Sequence, residues 1–270
     1  MRQILLFSQT LVYPQLHCWL YFWHSLRVDP RLQHTLEQLP TPFTAEELFD
    51  HLPDTVFFIK DTEGRYLCVN ETLVERCGKP NKQALLGRKP TELFGHALGN
   101  SYEQQDQRVS RTGRALIDKL ELHRYTPANS GWCLTSKFPL LDASGAIIGL
   151  TGTSRDLVRP DMHSDDYAQV STAIRFAESR LARPPSLAAL AKRARLSIYQ
   201  LDRRMKRLFG LSTGQWFLKT RIEHACRLLT DTERPITEIA LECGYANTSA
   251  FTRQFRKTTG QAPSVFRGMN

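Results

Sequence analysis

An α+β domain followed by an all-α domain with two helix-turn-helix units joined by a long helix is the architecture predicted for this chain. Three observations carry it. Between residues 46 and 157, two strand-like runs and a helix precede a polar helical stretch and three more strand-like runs. Between residues 187 and 260, one arrangement of apolar and outward positions occurs twice. The basic charge is confined to that same C-terminal part. At 270 residues the chain has room for about two domains, each able to bury a core.

In the first domain, Val56 to Lys60 reads as an apolar strand, Asp61 to Gly64 as a turn and Tyr66 to Asn70 as a second strand, with a helix after it. A polar helical stretch from Ser101 to Leu116 comes next. The runs "KLELHRY", "GWCLTSKFPLLD" and "AIIGLTGTSRDL" complete the set, the last two separated by a turn at Asp142 to Gly145. Strands grouped in this way predict an antiparallel sheet with helices segregated to one face. The polar stretch "VRPDMHSDD", residues 158–166, carries Pro160 and reads as the linker to the second domain.

In the second domain, Ile236, Ile239, Ala240 and Cys243 stand at i, i+3, i+4 and i+7, the spacing of one buried helical stripe. Gly244 ends that helix. A second helix starts near Thr248 or Ser249, whose hydroxyls suit an N-cap, and buries Phe251 and Phe255, while Ser249, Thr252, Arg253 and Arg256 share the other side. The same pattern occurs upstream. Leu187, Leu190, Ala191 and Ala194 stand 49 residues before the first stripe. Past the turn the offset becomes 50: Leu201 aligns with Phe251, Met205 with Phe255, and Tyr199, Asp202, Arg203 and Lys206 with the outward set, so the second turn is one residue longer. Between the copies, Ser212 and Gln215 have capping-box spacing before "WFLKTRIEHACRLL". A helix from Ser212 to Leu229 would extend roughly 26 Å, enough to hold two reading helices in major grooves roughly 34 Å apart.

Residues 167–270, and above all "RIEHACRLLTDTERPITEIALECGYANTSAFTRQFRKTTGQAPSVFR", resemble the DNA-binding domain of the AraC/XylS transcription regulators. The resemblance implies a sequence-specific DNA-binding regulator of bacterial type, with RNA polymerase as a further partner. The first unit departs from the pattern at Met205, where the family usually has Phe, and at acidic Asp202 on the expected DNA face. Charge supports the same reading: residues 167–270 hold 18 Lys plus Arg against 7 Asp plus Glu, whereas residues 1–166 hold 18 against 20. The expected DNA-binding residues are Tyr199, Gln200, Asp202, Arg203 and Lys206 in the first unit and Thr248, Ser249, Thr252, Arg253, Arg256 and Lys257 in the second. Arg253 is expected to read a base edge, a guanine above all, while Arg256 and Lys257 neutralise phosphates.

Residues 46–157 resemble a PAS domain through "LPDTVFFIKDTEGRYLCVNETL", "LLGRKPTELF" and "DASGAIIGLTGTSRDL". That resemblance implies a sensory or dimerising module. Two readings follow: a small molecule held there modulates transcription, or the domain is a ligand-free dimerisation or protein-interaction module, a homodimer included. If a ligand sits between sheet and helices, strand alternation places Cys68, Trp132, Leu134 and Ser136 along it. "GKP" after Cys77 is not the flavin-adduct motif, and His96 and His123 are lone histidines, so neither flavin nor haem is expected.

The six cysteines form no C-x-x-C pair and no zinc spacing, which points to reduced thiols in the cytoplasm and to no structural metal. There is no P-loop, no G-x-S-x-G and no dinucleotide fingerprint, so no catalytic residue and no enzyme activity is expected. Residues 1–45 read as an N-terminal extension. From Gln3 to Leu26 it lacks Asp, Glu, Lys and Arg, but Pro14, His17 and several Gln and Ser dilute any membrane helix, and no membrane is expected as a partner. A start near Val28, with residues 1–27 outside the natural protein, is one reading of this stretch, and a loosely packed extension is the other.

Overall fold

The computed structural model describes residues 29–39, 41–126, 129–157, 160 and 163–268. The reading of residues 1–27 lies outside them, as does part of the 158–166 linker. The chain divides into two compact units, Met1–Ala45 and Glu46–Asn270. In the first unit, helix α1 (Pro30–Glu37) starts at Asp29, whose carboxylate accepts from the Arg31 amide at 2.8 Å.

The second unit opens with α2 (Glu46–Asp50), β1 (Thr55–Asp61) and β2 (Tyr66–Val69). Asn70, expected as the end of β2, instead caps α3 (Glu71–Arg76). Its fully buried amide also accepts from the Phe57 amide at 2.9 Å and donates to the Phe49 and Thr55 carbonyls. One side chain thus ties the strand pair to two helices. The long helix α4 (Pro90–Thr112) begins eleven residues before the expected Ser101, and at Gly95 (φ 72°, ψ 171°) its backbone leaves helical geometry. The sheet continues through β3 (Leu116–Thr126), β4 (Asn129–Leu141) and β5 (Ile147–Asp156) in the order β2-β1-β5-β4-β3, every neighbouring pair antiparallel. One face carries Val56, Phe58, Tyr66 and Leu150 under α3 and α4.

The helical part runs α5 (Asp165–Glu178), α6 (Leu187–Arg193), α7 (Ile198–Phe209), α8 (Thr213–Asp231), α9 (Ile236–Glu242), α10 (Thr248–Thr259) and α11 (Pro263–Arg267). The linking helix α8 carries the capping box expected at Ser212 and Gln215. Ser164 caps α5, so the helical part starts two residues before the expected boundary at 167. Two cores flank α8. Leu190, Ala191, Leu201 and Met205 share one with Val170, Ile174 and Trp216; Ile239, Ala240, Phe251 and Phe255 share the other with Ile222, Ala225 and Leu229. The first core also takes in Leu120 and Leu134 from the sheet, and Trp132 packs against both cores. The sheet is therefore covered on its second face as well, by the helical part.

Candidate nucleic-acid interface

The second helix pair is built around α10. Its N-cap is Asn247, whose side chain accepts from the Ala250 amide at 2.8 Å, and not the Thr248 or Ser249 hydroxyl expected. An Asn cap leaves both hydroxyls on the first turn. Phe251 and Phe255 are fully buried with ring centroids 5.4 Å apart, and Phe266 meets Phe255 edge-on. They anchor the helix by apolar burial, each worth roughly 1.5–3 kcal/mol. Ser249, Arg253, Arg256 and Lys257 are exposed, with Thr248 and Thr252 half-buried beside them. Among the described residues, the three cations have no salt-bridge partner.

The turn before α10 is held by a residue that stripe-counting could not single out. From α8, Arg221 donates to the Cys243 and Gly244 carbonyls at 2.6 and 2.9 Å and lies 4.0 Å from the Tyr245 ring centroid. Gly244 has φ 73°, and a Cβ there would stand 2.2 Å from the Leu181 carbonyl oxygen. Glycine is required on both counts. In the first pair, 49 residues earlier, Arg195 holds the same left-handed conformation at φ 55°. That turn has no glycine, only a strained arginine.

In the first pair, Ser197 and Gln200 form a capping box, so the Gln200 side chain is engaged with its own helix start. Tyr199 is 74% exposed, and Arg203 and Lys206 are exposed on α7. Asp202 is half-buried and accepts from the Thr213 amide at 2.8 Å, with Lys206 3.4 Å from its other oxygen. Its carboxylate thus caps the linking helix from outside.

Residues 190–269 match the helix-turn-helix domain family and residues 49–159 match the PAS fold family. The HTH-type transcriptional activator RhaS of Escherichia fergusonii is 31% identical over 178 residues, which is 66% of this chain and 60% of RhaS. The regulatory protein SoxS of Salmonella typhimurium is 29% identical over 98 residues, 36% of this chain and 92% of SoxS. Among solved structures, a transcriptional regulator of the AraC-type DNA-binding class from Chromobacterium violaceum is 26% identical, covers 37% of this chain and 90% of its own, and superposes with a TM-score of 0.36. This chain joins a PAS fold to an AraC-type helix-turn-helix domain. It spans 60% of the length of RhaS. The relatives are a transcriptional activator and a regulatory protein.

The PAS fold and the AraC-type domain face each other across a cleft of about 1140 Å³. The AraC-type wall is the outward stripe of α10, from Thr248 to Gly260. The PAS wall is α4 and the start of β3, with Arg108, Arg114 and Lys119 among its residues, and among the described residues no carboxylate lines either wall. At one end the walls touch, because a Cβ on Gly260 would lie 2.7 Å from Leu98 Cδ2. Behind the cleft, Gln215 donates to the Asp118 carbonyl at 2.9 Å and Lys219 lies 5.7 Å from the Trp132 ring centroid.

The PAS fold encloses a second space, about 40 Å³, between its sheet and α3 and α4. None of Cys68, Trp132, Leu134 or Ser136, the residues expected along such a cavity, lines it. Leu134 and Trp132 face the AraC-type cores, the Cys68 thiol meets the Glu46 carboxylate at 2.9 Å, and Ser136 accepts from the Asp118 amide at 3.0 Å. Instead Lys60, Glu121, His123, Thr135 and Lys137 point inward, one position out of phase on β4, with Arg76 from α3 and Tyr102 from α4. Asp106 bridges Lys60 and Lys137 at 2.6 and 2.5 Å, and all three are at most 3% exposed. Burial pulls Lys60 down to about 8 despite Asp106, with Lys137 adding to the depression. For His123 burial works the same way, but Cys133 and Glu121 beside it outweigh burial and raise its pKa to about 10. Burial opposes the ionised forms of Asp106 and Glu121, yet neighbouring cations hold both carboxyls below their usual range.

Proposed function

We infer that this chain is a sequence-specific DNA-binding transcription regulator whose PAS-like domain senses a small molecule and so modulates transcription. One observation carries the coupling: the reading stripe of α10 forms one wall of a cleft whose other wall is the PAS fold. A major groove roughly 12 Å wide must close around a reading helix, with a phosphate ridge on each flank. The PAS wall stands where one flank must go, so withdrawing it precedes full docking of Arg253. Among the described residues, Lys119 on the cleft wall is paired with Glu121, while Arg108, Arg114, Arg253, Arg256 and Lys257 face one another with no carboxylate lining the cleft, and this repulsion favours opening. Apolar packing of Leu120, Trp132 and Leu134 on the helical cores opposes it. A modest change in the PAS fold then shifts the balance.

The reading makes double-stranded DNA and RNA polymerase the macromolecular partners and places the protein in the cytoplasm. The small cavity favours a second reading, in which the PAS-like domain is a ligand-free interaction or dimerisation module. The test is a binding titration of the full chain and of a fragment from Ser164 to the C-terminus on the same operator. The fragment should bind more tightly. Equal affinity at every salt concentration would remove the gating role of the PAS wall. A metabolite screen by thermal shift then separates sensor from bare module, since a ligand that binds the folded state raises its melting temperature.

A further inference from the structure

Arg108 and Arg114 on the PAS wall of the large cleft, with Arg253, Arg256 and Lys257 on its AraC-type wall, form one cationic lining. All five are exposed, and among the described residues none of their guanidinium or ammonium groups has a carboxylate, carbonyl or ring as partner. Lys119, which also lines the cleft, is taken by Glu121 at 2.8 Å. Most of the five stand near a helix end: Arg108 near the C-terminus of α4, Arg114 just beyond its Gly113 cap, Arg256 and Lys257 in the last turn of α10. The C-terminal end of a helix favours cations, which accounts for each group on its own wall. It does not account for the two groups facing each other across about 1140 Å³ of open space.

Facing cations repel, and an anion between the walls attracts both. Four of the five are arginines, whose planar guanidinium matches the paired oxygens of a phosphate. A single phosphate carries roughly two negative charges and meets one wall. Linked phosphates carry more and reach both. We propose that the cleft binds a short polyphosphate, free or carried by a nucleoside, that bridges Arg108 and Arg114 to Arg253 and Arg256. The space, about 1140 Å³, exceeds the roughly 300–1,000 Å³ of ordinary small-molecule sites, so it admits either form. Gln104, Ser249 and Thr252 line the same space and offer neutral donors to the remaining oxygens. Ala97, Ala115 and Ile117, the last 57% exposed, give the PAS lip an apolar surface on which a base can lie. Such a ligand has the chemistry of a DNA phosphate ridge without the bulk of a duplex, so it fits while the walls are together. It occupies Arg253 and Arg256, holds the PAS wall over α10, and thereby lowers operator affinity.

The effect on operator affinity rests on α10 being the reading helix gated by the PAS wall, whereas binding itself is measured without DNA, so the two can fail separately. Calorimetric titrations of the full chain at constant ionic strength would compare inorganic triphosphate, adenosine triphosphate, adenosine and inorganic phosphate. Triphosphate should bind saturably, and inorganic phosphate roughly tenfold or more weakly, since a single phosphate forgoes the charged hydrogen bonds of one wall. Tighter binding of adenosine triphosphate than of inorganic triphosphate identifies a nucleotide as the source, and equal binding a free polyphosphate. Arg108→Gln combined with Arg114→Gln, on the PAS wall, should weaken triphosphate binding roughly tenfold. Arg175→Gln removes an exposed charge from α5, outside the cleft, and should leave binding nearly unchanged. All three positions are exposed, so these variants keep the fold. No triphosphate binding, binding undiminished in the PAS-wall double variant, an equal loss in Arg175→Gln, or adenosine binding as tight as that of its triphosphate would overturn the site. If triphosphate binds as expected yet saturation leaves operator affinity unchanged, the site stands and α10 is not the reading helix. If triphosphate fails while the Ser164 fragment binds operator more tightly than the full chain, the site falls and the gating reading stands.

Discussion

Arg253 and Arg256 stand one turn apart on α10, and the proposed function gives them different tasks. Arg253 lies in the second turn and Arg256 toward the C-terminal end; under the proposed function the first reads a base edge and the second meets phosphates. Arg253→Ala should therefore cost roughly 1–3 kcal/mol at the operator and relax discrimination at one base pair. Arg256→Ala should weaken specific and random DNA alike and make the salt dependence shallower. Titrations against singly substituted operators check both, and uniform weakening by Arg253→Ala would remove its reading role. The turns supply a second contrast. Gly244→Ala forces a Cβ against the Leu181 carbonyl in a left-handed conformation and should destabilise the domain by more than about 1 kcal/mol. Arg195→Gly, at the equivalent point of the first pair, relieves strain and should stabilise it or leave it unchanged. Chemical denaturation of the two variants reads this difference in sign.

At the scale of elements, the helix pairs were legible because their signal is repeated. Leu201 and Met205 repeat Phe251 and Phe255, and two copies of one apolar stripe at a period of 3.6 residues demand two copies of one buried helix face. Strand β4 was legible as a strand but not in phase. Trp132 and Leu134 are its apolar members, so alternation directed them toward the helices of their own domain. The sheet is covered on both faces, and the face under α3 and α4 holds Lys60, Glu121, His123 and Lys137, charged residues that carry no apolar signal. Alternation separates two faces; it does not say which is inside when both are enclosed and one of them mixes apolar and charged residues. The Asp106 carboxylate, which meets that face from α4, has a measurable consequence. Asp106→Asn leaves two buried ammonium groups without their counter-charge and should cost about 3–5 kcal/mol. Because Asp106 and Glu121 are held below the usual values of 3.8 and 4.5, their stabilisation is complete above that range and is lost as pH falls through the depressed values. The melting temperature of the full chain should thus drop on acidification below about pH 4, and less steeply in Asp106→Asn.

At the scale of the molecule, the PAS fold is held to the AraC-type domain by apolar contacts on one side of the structure, while like charges face each other across the cleft on the other. Salt should lower operator affinity in two ways that add. Screening weakens repulsion within the cleft and so favours the closed form, and it weakens DNA binding directly. Operator affinity of the full chain should accordingly fall more steeply with salt than that of the Ser164 fragment, provided the cleft is closed in free protein. Trp132→Ala should loosen the interface, moving the affinity and salt dependence of the full chain toward those of the fragment. Parallel titrations at several salt concentrations measure both.

Trp132 also makes the protein its own optical gauge. Its indole is half-buried between the two helical cores, with the Lys219 ammonium nearby, whereas Trp216 is 6% exposed on α8 and stays within the AraC-type domain. Any separation of the two domains transfers the indole of Trp132 into water while leaving that of Trp216 where it is. Emission excited at the indole band should shift to longer wavelength as operator is added, with no attached dye, and Trp132→Phe should abolish that shift.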